Sequence, residues 1–136
     1  MQQMSPYAKY QEQNTLTASP GELTLMLYDG CIKALRRGAL FIGQQKMEDA
    51  HNELIRVQNI LAELQSTLDM QYEVSEGLFA LYDYMRMAAA GVNTTKNADA
   101  IPEIIGLLAE IRDAWQEAIR ANRRSSMADL TEQEAQ

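Results

Sequence analysis

Residues that cross-link a chain, ligate metals or interrupt helices are scarce in this 136-residue sequence. It has one cysteine, one histidine, three prolines and seven glycines. A lone cysteine, Cys31, excludes an internal disulfide and fits a reducing compartment. Apolar residues make up 46%, which excludes a disordered or collagen-like chain, and the length suits one domain with a sizeable core.

Targeting and membrane-spanning signals are also missing. The stretch from Met1 to Tyr10 has no apolar core of the kind found in secretory signal peptides. No apolar run approaches the roughly 20 residues that span a bilayer. We therefore expect a cytoplasmic protein without membrane insertion.

The charge balance is acidic, with 12 basic against 19 acidic residues and a net charge of −7. On average such a chain repels nucleic acids and anionic membranes, so no nucleic-acid partner is expected. A dense basic run holds Arg120, Arg123 and Arg124. We interpret this run as the C-terminal end of a helix, where cations complement the negative end of the helix dipole. The alternative is a binding patch.

Apolar residues at alternating spacings of three and four predict four helices, near 20–42, 47–68, 73–90 and 99–124. Ser19, Pro20 and Glu22 form a strong helix start, because they supply an N-cap, a first-turn proline and a capping carboxylate. Gly91 and the polar run 93–97 are expected to end the third helix, which would be shorter than the others. The apolar stripes are Leu25, Tyr28, Ile32, Leu35, Ala39 and Ile42; Met47, Ala50, Leu54, Val57, Leu61, Leu64 and Leu68; Val74, Leu78, Leu81, Met85 and Ala88; and Ile101, Ile104, Leu108, Ile111, Trp115 and Ala118.

Short connections between long amphipathic helices predict an all-α fold, an antiparallel up-down-up-down four-helix bundle over residues 19–124. Leu61 and Leu108 should be almost fully buried in it. Residues 1–18 are expected to form an extended or short-helical N-terminal segment. Residues 125–136 are expected to be a polar flexible tail.

Several apolar residues have no place in these stripes. In the first helix they are Leu23, Met26, Leu27, Leu40 and Phe41. Either this helix buries two faces, or it leaves a groove open for an amphipathic partner segment. Ile55, Phe79 and Met87 point outward on the second and third helices, and we predict that they contact a partner.

No constellation of residues supports catalysis or a cofactor. Glu48 and His51 match one Glu-x-x-His, but di-iron bundles need that motif on two helices and His51 is the only histidine. Cys31 and His51 would lie roughly 10 Å or more apart along antiparallel helices, beyond hydrogen-bond reach. Neither a phosphate-binding loop nor a nucleophile elbow occurs. The chain is therefore predicted to be no enzyme, with no metal, cofactor-binding or catalytic residues.

One long motif, Thr17-Ala18-Ser19-Pro20-Gly21-Glu22-Leu23-Thr24-Leu25-Met26-Leu27-Tyr28-Asp29-Gly30, resembles the signature of the FliS family of flagellar export chaperones. The resemblance continues in 50–68, in Leu81-Tyr82-Asp83-Tyr84-Met85 and in Arg112-Asp113-Ala114-Trp115. It covers roughly residues 4–122. Tyr7 and Tyr10 also resemble the family's N-terminal element.

The resemblance implies a four-helix bundle that binds the C-terminal segment of flagellin. Such a chaperone blocks premature polymerisation in the cytoplasm and, when loaded with its client, delivers it to the membrane export gate. The alternative is a non-enzymatic helical adaptor or regulator that acts through a folded partner. The free protein is a monomer or a homodimer, and the sequence leaves both open.

The N-terminal segment has three interpretations. Tyr7 and Tyr10 lie three residues apart, so one helical turn presents both rings to one surface. The segment is then a reversible cover over part of the client groove. The two alternatives are a frayed terminus with incidental tyrosines and direct contact of both tyrosines with the client.

Overall fold

A computed structural model of the chain describes residues 20–135, so the predictions for residues 1–18, including Tyr7 and Tyr10, lie outside the described residues. Within 20–135 there are four α-helices and no strand. The helices are α1 (Pro20–Gly43), α2 (Met47–Ser66), α3 (Glu73–Thr95) and α4 (Ile101–Ala135), with a 3-10 turn at Ala98–Ala100 before α4. None of these helices has a stretch long and apolar enough to cross a membrane.

The helices form an antiparallel bundle in which each packs on its neighbours in the chain. α1 lies between α2 and α4, and α3 closes the bundle by packing on α2 and, less extensively, on α4. Short connections force this arrangement, because a helix that follows a tight turn must run back along its predecessor. The predicted all-α four-helix bundle is confirmed.

The core is built from the stripes of all four helices. Leu61 of α2 and Leu108 of α4 are both fully buried, as predicted. Leu23 and Leu27 are buried too, so α1 does bury two faces over its first turns. Leu40 near the end of α1 remains exposed. The interpretation that α1 buries two faces therefore holds for its first turns, and a groove for a partner segment stays a prediction.

The third helix differs from its prediction in part of its core stripe and in length. Val74 is 66% exposed, and the buried residues are Ser75, Tyr82, Met85, Ala89 and Val92, of which Met85 was predicted. Leu78, Leu81 and Ala88 of the predicted stripe are half-buried against the core. Ser75 was missed because it is polar, and its buried hydroxyl donates to the carbonyl of Asp69 at 2.6 Å.

The polar run that was expected to end α3 is partly helical. The hydroxyls of Thr94 and Thr95 donate to the carbonyls of Ala90 and Gly91 at 3.0 and 2.9 Å, and Val92 anchors the last turn in the core. The helix ends where Lys96 takes a left-handed conformation, with φ of 56°. At 23 residues α3 is longer than α2, which has 20, so the prediction of a short third helix is wrong.

The fourth helix continues to Ala135 instead of ending at Arg124. Neither Gly nor Pro occurs after Gly106, so nothing in the sequence interrupts the helix. Arg123 and Arg124 therefore lie within a helix rather than at its end, where they pair with Glu22 of α1 and with Glu117. The predicted stripe is buried only as far as Leu108 and half-buried at Ile111, while Trp115 and Ala118 are exposed. Among the described residues, the part of α4 that extends beyond the start of α1 has little to pack against.

Candidate functional site

An apolar cavity of about 430 Å³ opens at one end of the bundle, where α1 begins and α2 ends. All four helices contribute to it, together with the connection between α2 and α3. We call this space the apolar cavity. Its lining residues are Gly21, Thr24, Tyr28, Leu64, Thr67, Leu68, Asp69, Tyr72, Val74, Ser75, Leu78, Tyr82 and Trp115.

The connection between α2 and α3 holds one edge of the cavity in place. Asp69 organises it: its carboxylate accepts a hydrogen bond from the Gln71 N–H at 3.0 Å, and its carbonyl accepts from the Ser75 hydroxyl. The Tyr72 N–H also donates to that carbonyl, at 3.3 Å. These bonds pair the backbone polar groups of the connection and leave the space between α2 and α3 open. The edge is therefore preformed.

Two tyrosine hydroxyls meet within the lining. Tyr28 of α1 and Tyr82 of α3 are both buried, and their hydroxyl groups hydrogen bond to each other. Burial raises the pKa of both phenols, and for Tyr82 the proximity of Tyr28 raises it further. Both phenols are therefore neutral at physiological pH, and their polar atoms are satisfied within the protein. Neither phenol of the pair is charged or otherwise activated for catalysis.

Trp115 forms a wall of the cavity and joins α4 to α1. Its indole Nε1–H donates to the carbonyl of Gly21 at 2.9 Å, and the side chain is 38% exposed. The sequence placed Trp115 in the core stripe of the fourth helix. It lies at the mouth because the ring is level with the first turn of α1, and the described part of α1 does not extend beyond that turn.

Exposed apolar side chains surround the mouth of the cavity. Tyr72 and Val74 line it and are mostly exposed, and the exposed Met70 lies in the same connection. Sequence reasoning missed this site, because it treated 69–72 as a simple break and Val74 as core. The available signal was the presence of Met70 and Tyr72 in a connection, where polar residues are the rule.

The three predicted contact residues within the described chain are exposed but lie outside the cavity. Ile55, Phe79 and Met87 are 38%, 43% and 73% exposed. Gln65 of α2 donates to the carbonyl of Phe79 at 3.1 Å, which aligns the two helices at that point. Ile55 precedes Gln65 by ten residues, so it lies about 15 Å further along the bundle than Phe79. The structure therefore spreads these residues along the α2–α3 side and does not gather them in one pocket.

The residues considered for metal or nucleophile chemistry lie apart. Cys31 is fully buried in the core, and burial raises the pKa of its thiol well above the usual range. His51 is exposed on α2 and hydrogen bonds to the side chain of Asn93 on α3. Across residues 20–135 no group of three or more His, Cys, Asp and Glu side chains is placed to hold a metal ion.

The chain has clear relatives in sequence. Residues 2–122 match the family described as flagellar protein FliS. The flagellar secretion chaperone FliS of Bacillus subtilis (strain 168) is 41% identical over 120 residues, which cover 88% of this chain and 90% of the relative. The protein of the same name from Salmonella typhimurium (strain LT2) is 36% identical over 109 residues, covering 78% and 81%.

A solved structure shares the fold. The structure described as a flagellar chaperone from bacteria superposes with a TM-score of 0.72 at 23% identity. The match covers 85% of this chain and 95% of the other. At that identity the likeness supports the helical bundle itself. The residues of α4 beyond 122 lie outside the family match.

Proposed function

The chain belongs to the FliS family, and from that premise we propose that it is a cytoplasmic export chaperone for flagellin. In this proposal it binds the disordered C-terminal segment of flagellin, prevents premature polymerisation and assists delivery to the flagellar type III export apparatus. The role is one of binding and release, so it requires no catalytic residue and no cofactor.

The observation that carries the proposal is the apolar cavity with its exposed apolar mouth. A volume of about 430 Å³ lies within the range of cavities that bind whole small ligands. It has room for several apolar side chains of one amphipathic segment. A disordered segment loses conformational entropy when it folds on a surface, and burial of apolar area offsets that loss. A preformed cavity lowers the cost further, because the chaperone itself need not rearrange.

Outward apolar residues on α2 and α3 extend the proposed contact surface. Ile55, Phe79 and Met87 are exposed along a side of the bundle that is separate from the cavity. A client helix of a few turns is too short to cover both this side of the bundle and the cavity. We therefore propose that the client segment contacts the bundle in more than one place.

The N-terminal segment is proposed as a reversible cover of this surface. α1 begins at Pro20, and Gly21 lines the cavity, so the first described residues of the chain lie at the cavity's edge. Burial of the rings of Tyr7 and Tyr10 would contribute roughly 1.5–3 kcal/mol each. Ordering of the backbone costs roughly 1–2 kcal/mol per residue, so the two terms nearly cancel if only a short segment, about one helical turn, becomes ordered, and the client can then displace the cover.

Calorimetry with purified flagellin tests the function. We expect binding to intact flagellin with a strongly negative heat-capacity change and a gain of helicity, and no binding to flagellin that lacks its C-terminal segment. Equal binding to both forms would favour an adaptor that recognises a folded partner.

A matched pair of variants tests the cavity. Val74→Asp introduces a charge at the mouth, whereas Met127→Asp introduces the same charge at a similarly exposed site, 69% against 66%, outside the family match. We expect about tenfold weaker flagellin binding for Val74→Asp, a loss of roughly 1.4 kcal/mol, and no change for Met127→Asp. Equal affinities for the two variants would rule out the cavity as the client site.

A further inference from the structure

A second groove, between α1 and α4, is lined by cations although the chain as a whole is acidic. Lys33, Arg36 and Arg37 of α1 and Arg112 of α4 line a space of about 570 Å³. The net charge of the chain is −7, so this surface has the opposite sign to the average. We call it the cationic groove. Ile32 and Ala109 complete its lining together with one acid, Asp29.

Two of the four cations have partners that hold them in place. Arg112 donates from Nε to the carboxylate of Asp29, and its Nη1 donates to Gln116 at 3.2 Å. The Asp29 carboxylate raises the pKa of the Arg112 guanidinium, so this cation is charged at all relevant pH. Arg37 forms an ion pair with Glu53 at 3.3 Å.

The other two cations, Lys33 and Arg36, are exposed. Within residues 20–135 neither side chain has a hydrogen bond or an ion pair. They lie three residues apart on α1, about 4.5 Å along its axis, so both project from neighbouring turns of one face. The Asp29 carboxylate is already engaged by Arg112. Lys33 and Arg36 therefore keep their full hydrogen-bonding capacity for a partner.

We propose that the cationic groove binds an acidic helical segment of a partner protein, with carboxylates one helical turn apart. Carboxylates at that spacing would face Lys33 and Arg36 together, and a guanidinium binds a carboxylate through two parallel hydrogen bonds. Ile32 and Ala109 supply an apolar floor that fits the aliphatic part of such side chains.

The shape and charge of the groove favour a peptide over a nucleic acid. Its α1 cations lie within five residues, about 6 Å of helix, whereas a nucleic acid carries its charges along its whole length. A polyanion would therefore extend beyond the groove onto a protein of net charge −7. A short acidic helix can be confined to the groove and need not extend onto the acidic surface around it. Opposite charge also speeds encounter with such a partner.

The cationic groove and the apolar cavity share no lining residue. The two sites can consequently be altered by different substitutions and tested separately. The inference does not depend on the identity of the client, so it can fail while the flagellin proposal holds, and the reverse.

Fluorescence anisotropy with a labelled peptide tests the inference. The probe is an Ala-rich helical peptide of roughly 16 residues with Glu one turn apart, and its control replaces every Glu with Gln. K33E/R36E reverses the two exposed cations of the groove. K46E/R56E is the matched control, since Lys46 and Arg56 are exposed on other surfaces and the net charge changes equally. The neutral variant K33Q/R36Q repeats the measurement without charge reversal.

We expect the Glu peptide to bind wild type, with an affinity that falls as salt is added, and the Gln peptide to bind far more weakly. K33E/R36E and K33Q/R36Q should each weaken binding by about tenfold or more, and K46E/R56E by about twofold or less. Equal binding of the two peptides, or equal losses in the two charge-reversal variants, would overturn the proposal. Tighter binding of a single-stranded oligonucleotide of equal charge would also overturn it, in favour of a nucleic-acid site.

Discussion

The hydroxyl groups of Tyr28 and Tyr82 hydrogen bond to each other across the bundle and join α1 to α3. Both side chains are buried, and they are separated by 54 residues in the chain. The pair lies in the lining of the apolar cavity, where each hydroxyl satisfies the other. This hydrogen bond allows the two hydroxyl groups to lie in a cavity lining that is otherwise suited to apolar groups.

Removal of one hydroxyl of this pair should lower the free energy of unfolding by more than half of the decrease caused by removal of both. Tyr28→Phe leaves the Tyr82 hydroxyl buried without its partner, so we expect a decrease of about 1–3 kcal/mol in the free energy of unfolding. The double variant Y28F/Y82F removes both polar atoms. Its loss, measured by urea unfolding, should be clearly smaller than the sum of the two single losses. Additive losses would show that the hydroxyls act independently.

Alkaline pH should destabilise the protein through the same two residues. Burial raises the pKa of Tyr28 and Tyr82 in the folded state above the value of about 10 in the unfolded chain. The neutral phenol is thus favoured by folding, and its stabilisation is complete below pH of about 10 and is lost as the pH rises further. Urea unfolding between about pH 8 and 11 should show this fall. If Y28F/Y82F shows an equally steep fall, other groups are responsible.

Truncation of the central leucines should be costly. Leu61 and Leu108 are fully buried, so replacement of either by Ala should lower the free energy of unfolding by about 2–5 kcal/mol through lost burial and a cavity. Leu130→Ala is the control, because Leu130 is exposed on α4 and should change stability by about 0.5 kcal/mol or less. A loss at Leu61 or Leu108 no larger than at Leu130 would contradict the packing described here.

The outward residues Ile55, Phe79 and Met87 should affect binding and not stability. Replacement of all three by Asp should weaken flagellin binding measured by calorimetry, because charges replace apolar contact area. The melting temperature should stay near that of wild type, because the three side chains are exposed. Leu130→Asp, at an equally outward position, should leave binding unchanged. A large fall in melting temperature would instead assign the three residues to the core.

Deletion of residues 1–11 separates the three interpretations of the N-terminal segment. If Tyr7 and Tyr10 cover the client surface, the truncated protein should bind flagellin more tightly, because the competent state is always populated. Weaker binding would indicate that the tyrosines contact the client directly. Unchanged affinity in calorimetry would leave the segment without a role in client binding.

The sequence alone was sufficient for the fold class, for the approximate start of each helix and for much of the core. Leu61 and Leu108 could be assigned to the core because apolar residues at helical spacing form the face of a helix that packs on its neighbours. The family could also be assigned from the motif at 17–30, and the match over residues 2–122 confirms it. These features depend on local spacing and local chemistry, which the linear sequence contains.

Features that depend on what lies opposite a residue required the tertiary structure. Val74 and Trp115 continue the apolar stripes of their helices, yet both lie at the end of the bundle where, within residues 20–135, no further helix covers them. Lys33 and Arg36 lie 79 and 76 positions before Arg112 in the chain, so only the packing of α1 on α4 brings these cations into one groove. Periodicity identifies the face of a helix that packs, but burial is decided by whether another helix reaches that level of the bundle.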